Sequence, residues 1–198
     1  MASYLATINI DEFDIETMSA PNGIPIRNYY ATDLPAEVNQ PFARQGEMLE
    51  YFGELFGPYP FEVYGSLVLD TYFGAALENQ TMSIYGMDMI DLDDIEGTEL
   101  VVAHELSHQW FGDSVSVADW SDIWLNEGFA TYLEGLSRER FPQSNNDWYN
   151  WKLSKINSVT SNSGGSVKVD NPTSVNRIFS GRLSYNKGSY LLHMLRWK

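Results

Sequence analysis

Residues 98–113 read TELVVAHELSHQWFGD, and the segment His104-Glu105-Leu106-Ser107-His108 within them decides how the rest of the chain is read. The apolar run Leu100-Val101-Val102-Ala103 leads into it and Gly112 follows, so the pattern predicts a helix over about 98–111. On a helix, residues four apart share a face, with about 6 Å between them. Two imidazoles so placed can reach one ion at about 2.0–2.1 Å. Glu105, next to the first imidazole, is poorly placed to complete a tetrahedron but well placed to reach a water beside such an ion.

A third ligand is then needed. Glu127 follows His108 with eighteen residues between them, in Trp124-Leu125-Asn126-Glu127-Gly128-Phe129-Ala130. A second helix is expected from near Ser121 or Asp122, both plausible caps, to Arg140 ahead of Pro142. A helix, a short loop and a helix allow Glu127 to fold back onto the histidine pair. Three protein ligands leave one position open, the arrangement of a catalytic site. Two histidines and a glutamate favour zinc, with cobalt or manganese able to substitute. Asp113 and Asp122 are candidates to orient the histidines, and equally a helix stop and a helix cap. The alternative for the whole motif is a pair of satisfied core histidines beside surface glutamates.

The 198-residue chain has no cysteine, which removes disulfides and thiolate metal sites from consideration. Its formal charge of −15 opposes nucleic-acid binding, which needs clustered Lys and Arg. An acidic surface suits a peptide with a free amino terminus, and equally plain solubility. No apolar run is long enough to span a membrane. Outward from the motif, strands are expected at Tyr4–Ile15, Ile24–Tyr30 and Tyr64–Leu69, with an extended edge over Gly74–Gly86. Helices are expected over about Pro41–Phe56, Asn146–Thr160 and from Tyr185 to the end, with an acidic loop at Asp91–Glu96. The last helical pattern runs to Lys198 without a stop signal, which suggests a piece of a longer protein. The fold class is therefore α+β, strand-rich over 1–97 and helical over 98–198.

Two of these segments, HELSHQWFGD at 104–113 and WLNEGFATYLEG at 124–135, resemble the aminopeptidase N family of zinc metallopeptidases, within the gluzincins. Ala75-Ala76-Leu77-Glu78-Asn79 resembles that family's GAMEN exopeptidase motif, and Ser184-Tyr185-Asn186-Lys187-Gly188 the segment carrying its catalytic tyrosine. The order and spacing also match, and the resemblance covers essentially the whole chain. It implies a thermolysin-like catalytic domain, truncated at both ends relative to the family, with one zinc ion on His104, His108 and Glu127. It implies Glu105 as general base, Tyr185 as oxyanion donor and Glu78 as the group that binds the substrate's α-amine. Ala75, Ala76, Leu77 and Asn79 would line the extended substrate. The chain departs from the motif at Ala75, which follows Gly74, and at Leu77, which would reshape the pocket for the first side chain.

The implied function is a zinc-dependent aminopeptidase acting on peptides with a free N-terminus, assisted by flanking domains of a longer enzyme. A thermolysin-type endopeptidase, or a zinc- and peptide-binding fragment without turnover, are the alternatives. Asn79-Gln80-Thr81 also fits a glycosylation acceptor. His193, in the apolar context of Leu191-Leu192-His193-Met194, reads as structural.

Overall fold

The computed structural model describes residues 2–197. They divide into two compact units, at residue 114. The first carries a mixed sheet, two α-helices and the histidine motif. The second is helical.

In the first unit, strands β1 (Phe13–Ser19), β2 (Pro25–Ala31), β3 (Ser66–Leu69), β4 (Ala76–Leu77) and β5 (Ser83–Gly86) form one sheet in the order β1-β2-β3-β5-β4. β1 and β2 are an antiparallel hairpin, β2-β3 and β3-β5 are parallel, and β4 returns antiparallel to β5. Helix α1 (Gln45–Phe56) lies between β2 and β3 in sequence, and α2 (Ile95–Ser107) follows β5. The interior is apolar and aromatic: Ile26, Phe42, Leu49, Phe52, Tyr64, Val68 and Tyr85 are fully enclosed. One closed polar ring sits inside it. Asn28 Nδ2 donates to Gln45 Oε1 (2.7 Å), Gln45 Nε2 to Ser66 Oγ (2.5 Å), and the Ser66 backbone N–H to Asn28 Oδ1 (3.0 Å). The three side chains satisfy each other where water cannot, and so pin β2, β3 and α1 in one register.

Several elements depart from the expected boundaries. The strand expected over Tyr4–Ile15 is a short 3-10 turn at Ser3–Leu5 followed by irregular chain, and pairing begins only at Phe13. The alternation over 6–12 is present, but Ile8 and Ile10 are exposed, and among the described residues no strand pairs with this stretch. The helix expected from Pro41 begins at Gln45, after a 3-10 segment over Ala36–Phe42. The edge expected over Gly74–Gly86 is two strands, and β5 is interior: all four of its residues are buried between β3 and β4. The acidic loop is shorter than expected, since Asp94 caps α2 by accepting from the Gly97 N–H at 2.9 Å. That helix ends at Ser107, four residues early, with His108 at its cap.

In the second unit, a 3-10 turn at Trp120–Asp122 is capped by Asp119, whose carboxylate accepts from the Ser121 N–H at 2.8 Å. Helix α3 (Trp124–Arg140) follows, then α4 (Asp147–Thr160), a single turn α5 (Val175–Ile178), a π-helical segment over Gly181–Lys187, and α6 (Gly188–Arg196). Ile123, Val169 and Ile178 form a small core, with Val117 against it. Neither Ser121 nor Asp122 caps α3 as expected: both lie in the 3-10 turn, the cap position of α3 is Ile123 with no side-chain bond, and Asp122 pairs with Lys168 at 3.5 Å. The last helix does not begin at Tyr185. That residue sits in the π-helical segment, a wider backbone turn often found at functional sites.

Candidate metal centre

His104 on α2 and His108 at its C-cap are both buried, with ring centroids 4.8 Å apart and nearly perpendicular. His108 Nδ1 lies 3.0 Å from the Phe111 carbonyl oxygen. A carbonyl can only accept, so Nδ1 carries the proton and Nε2 keeps its lone pair for a cation. This orienting group is a backbone carbonyl four residues beyond the helix end. Asp113, the sequence candidate, lies alongside and is 2% exposed. Burial pushes its carboxyl up to about 7, Glu78's charge adds to the rise, and His108 opposes it. Glu105 is likewise buried on α2. Burial holds the Tyr64 and Tyr85 hydroxyls well above the ordinary phenol value, and the nearby Glu105 charge adds to that. Both phenols therefore stay neutral.

In the second unit, α3 presents Glu127 in its first turn, 4% exposed. The ligand atoms of His104, His108 and Glu127 all lie within 4.8 Å of one another. Two imidazoles and a carboxylate form a donor set that fits one zinc ion and leaves room for a further ligand.

The segment resembling the exopeptidase motif lies on β4 and the turn after it. Gly74 takes the left-handed conformation (φ 74°), so Ala75 does not have to. Ala75 O accepts from the Gly86 N–H at 3.3 Å, and Ala76 and Leu77 pair with Tyr85 and Ile84. β4 is the terminal strand of the sheet order. Leu77 points outward at 39% exposure, while Glu78 and Asn79 are buried. At 3% exposure Asn79 is closed to a glycan, which removes the acceptor reading of Asn79-Gln80-Thr81.

Two residues to which the sequence reading gave no role hold this segment. Tyr4 donates its hydroxyl to Glu78 Oε1 at 3.0 Å. Gln109, fully buried, joins the chain after α2 to the turn after β4. No periodicity marks either residue, since a Gln after a helix and a Tyr near a terminus both read as surface. Tyr185 is half-buried in the π-helical segment, beside Ser184, whose hydroxyl donates to the Ile178 carbonyl at 2.7 Å. His193 packs among Tyr132, Trp148, Tyr190 and Trp197, as an enclosed structural histidine would.

A metal site of this donor set on a mixed-sheet and helix scaffold defines a class, the zinc metallopeptidases. Residues 41–197 match the peptidase family M1 domain, and the chain belongs to that family. It is 30% identical to human aminopeptidase N over 98% of its own length, which is 22% of that protein. It is 31% identical to aminopeptidase N of Lactococcus lactis, covering 99% of this chain and 25% of the relative. The chain thus spans about a fifth to a quarter of these relatives. Among solved structures, an M1 zinc metallopeptidase from Deinococcus radiodurans superposes with a TM-score of 0.76 at 31% identity, over 93% of this chain and 40% of that one. A variant of that enzyme solved with a Tyr-Ser-Ala substrate gives a TM-score of 0.78 at 30% identity.

Proposed function

We propose that this chain carries the catalytic centre of a zinc-dependent aminopeptidase, which removes the N-terminal residue from peptides. The observation that carries the reading is the buried group of His104, His108 and Glu127, whose ligand atoms converge within 4.8 Å. In this reading the scaffold is a thermolysin-like catalytic domain, with a strand-rich part over 1–97 and a helical part over 98–198.

His104, His108 and Glu127 would hold one zinc ion, which when bound supplies Lewis acidity for hydrolysis of a peptide bond. Glu105 is the general base. It takes a proton from the attacking water and passes it to the leaving amine. Tyr185 donates its hydroxyl to the oxygen on which negative charge develops. Glu78 pairs with the substrate's α-ammonium and so sets the register at one residue per cut. The outer edge of β4, at Ala75, Ala76 and Leu77, suits an extended peptide adding as a further strand. Leu77 and Asn79 would border the first side chain and the amine. The partners in this reading are peptides with a free amino terminus, with no role for nucleic acid.

The test is hydrolysis of an aminoacyl anilide beside its N-acetyl counterpart. Cleavage of the free amine alone supports the proposal. Equal cleavage of both favours an endopeptidase, and stoichiometric zinc with no cleavage favours a binding fragment.

A further inference from the structure

We infer that Gln109 is a positioning residue for Glu78, clamping the turn after β4 so that the Glu78 carboxylate is held at the amine subsite; this rests on the proposed role of Glu78.

Gln109 is 0% exposed, and its amide uses every hydrogen-bonding position it has. Nε2 donates to the carbonyls of Glu78 (3.3 Å) and Asn79 (3.4 Å). Oε1 accepts from the Thr81 backbone N–H (2.8 Å) and shares the Tyr59 hydroxyl proton (3.4 Å) with the nearer Val63 carbonyl (3.1 Å). Three of the four partners are backbone groups of residues 78–81. A side chain that must donate twice and accept twice in this shape is an amide. Glutamate would keep both acceptor contacts and set a carboxylate against two carbonyls. Methionine would fill the volume and make none of the four bonds.

The clamped turn needs holding. Thr81 has φ 67°, the one left-handed non-glycine among the described residues. For a β-branched residue that conformation is disfavoured, so it persists where the surroundings impose it. The shortest Gln109 contact falls on the Thr81 N–H. The turn is also closed by Met82 N–H donating to the Asn79 carbonyl at 2.9 Å. Gln109 follows His108 directly in sequence, so one residue ties the metal-binding helix end to the segment that would read the substrate's amine. A shift of 1 Å at a positioning group can cost about 100-fold in rate.

The experiment compares Gln109→Met, Glu78→Ala and the double variant in the zinc-loaded protein. It measures zinc content, amide exchange at Thr81, and kcat and KM on a free-amine aminoacyl anilide. We expect Gln109→Met to keep one zinc per chain and to speed Thr81 exchange about 10-fold or more. It should raise KM by about 10- to 100-fold with a smaller change in kcat. In the Glu78→Ala background it should add less than about 2-fold, because both act through one group. If Gln109→Met fails to fold, Gln109→Glu, which loses the two donor bonds alone, should raise KM in the same sense. Multiplicative effects in the double variant, loss of zinc, or unchanged Thr81 exchange would each overturn the inference. A Glu78→Ala variant with unchanged KM would sink the amine-binding role itself, and the positioning role with it. That outcome is distinguishable because Thr81 exchange would still quicken in Gln109→Met.

Discussion

Gly128 of α3 and Gly188 of α6 meet backbone to backbone: a Cβ on Gly128 would stand 3.0 Å from the Gly188 Cα, and a Cβ on Gly188 would stand 3.1 Å from the Gly128 Cα. Gly128 follows the proposed ligand Glu127, and Gly188 begins the helix after the segment that carries Tyr185. The close crossing thus sets the spacing between the two elements of the second unit that carry proposed chemistry. Alanine at position 128 gains up to about 1 kcal/mol of helix propensity. Overpacking against immovable backbone costs about 1–3 kcal/mol, so the clash wins. We predict that Gly128→Ala lowers unfolding free energy by about 1 kcal/mol in a denaturant titration and reduces turnover. Gly181→Ala, with nothing within 4 Å of the added carbon, should be neutral.

Metal should stabilise the fold. An ion that binds the native state alone adds about 4 kcal/mol when present at a thousand times its dissociation constant. Dialysis against a chelator should therefore lower the melting temperature measured by circular dichroism, and added zinc should restore it. In His108→Ala the chelator should shift nothing. A shift of the same size in that variant would mean that the stabilising ion sits elsewhere.

The Asn28-Gln45-Ser66 ring predicts a cost of a different kind. Gln45→Leu keeps the volume but leaves Asn28 Nδ2 and Ser66 Oγ without the partners they now have. Each buried polar group left unpaired costs about 1–3 kcal/mol. A loss of that order in urea unfolding, with zinc content unchanged, is the expected result.

His193 gives the second unit a pH dependence. Burial lowers its pKa below 6.5, Lys152 and Arg196 lower it further, and Glu139 opposes them. The unfolded chain takes up this proton near pH 6.5, the folded protein only at lower pH. In between, the unfolded state binds more protons, so stability falls as pH drops below about 6.5 and is flat above it. His193→Phe should remove that slope from the unfolding free energy measured between pH 5 and 7.5, leaving only what other groups contribute.

Much of this was legible in the sequence. The four-residue spacing of His104 and His108 and the later Glu127 announced a metal site, because ligand geometry restricts which residues can serve. The apolar stretches at Ile24–Tyr30 and Tyr64–Leu69 placed β2 and β3 within a few residues. The misses have physical causes. The alternating stretch around Ile8 and Ile10 finds no partner strand, and alternation alone cannot supply one. The interior place of β5 follows from sheet order, which depends on distant pairings. Gln109 and Tyr4 act through contacts thirty and seventy-four residues away in sequence, which no local pattern records.

The central claim is metal-dependent hydrolysis with Glu105 as base, and Glu105→Gln tests it most directly. Zinc content and aminoacyl anilide turnover should be measured side by side in parent and variant. The account predicts one zinc per chain in both, with turnover in the variant reduced by about 100- to 10,000-fold. Turnover equal to the parent, or zinc absent from an active parent, would contradict it.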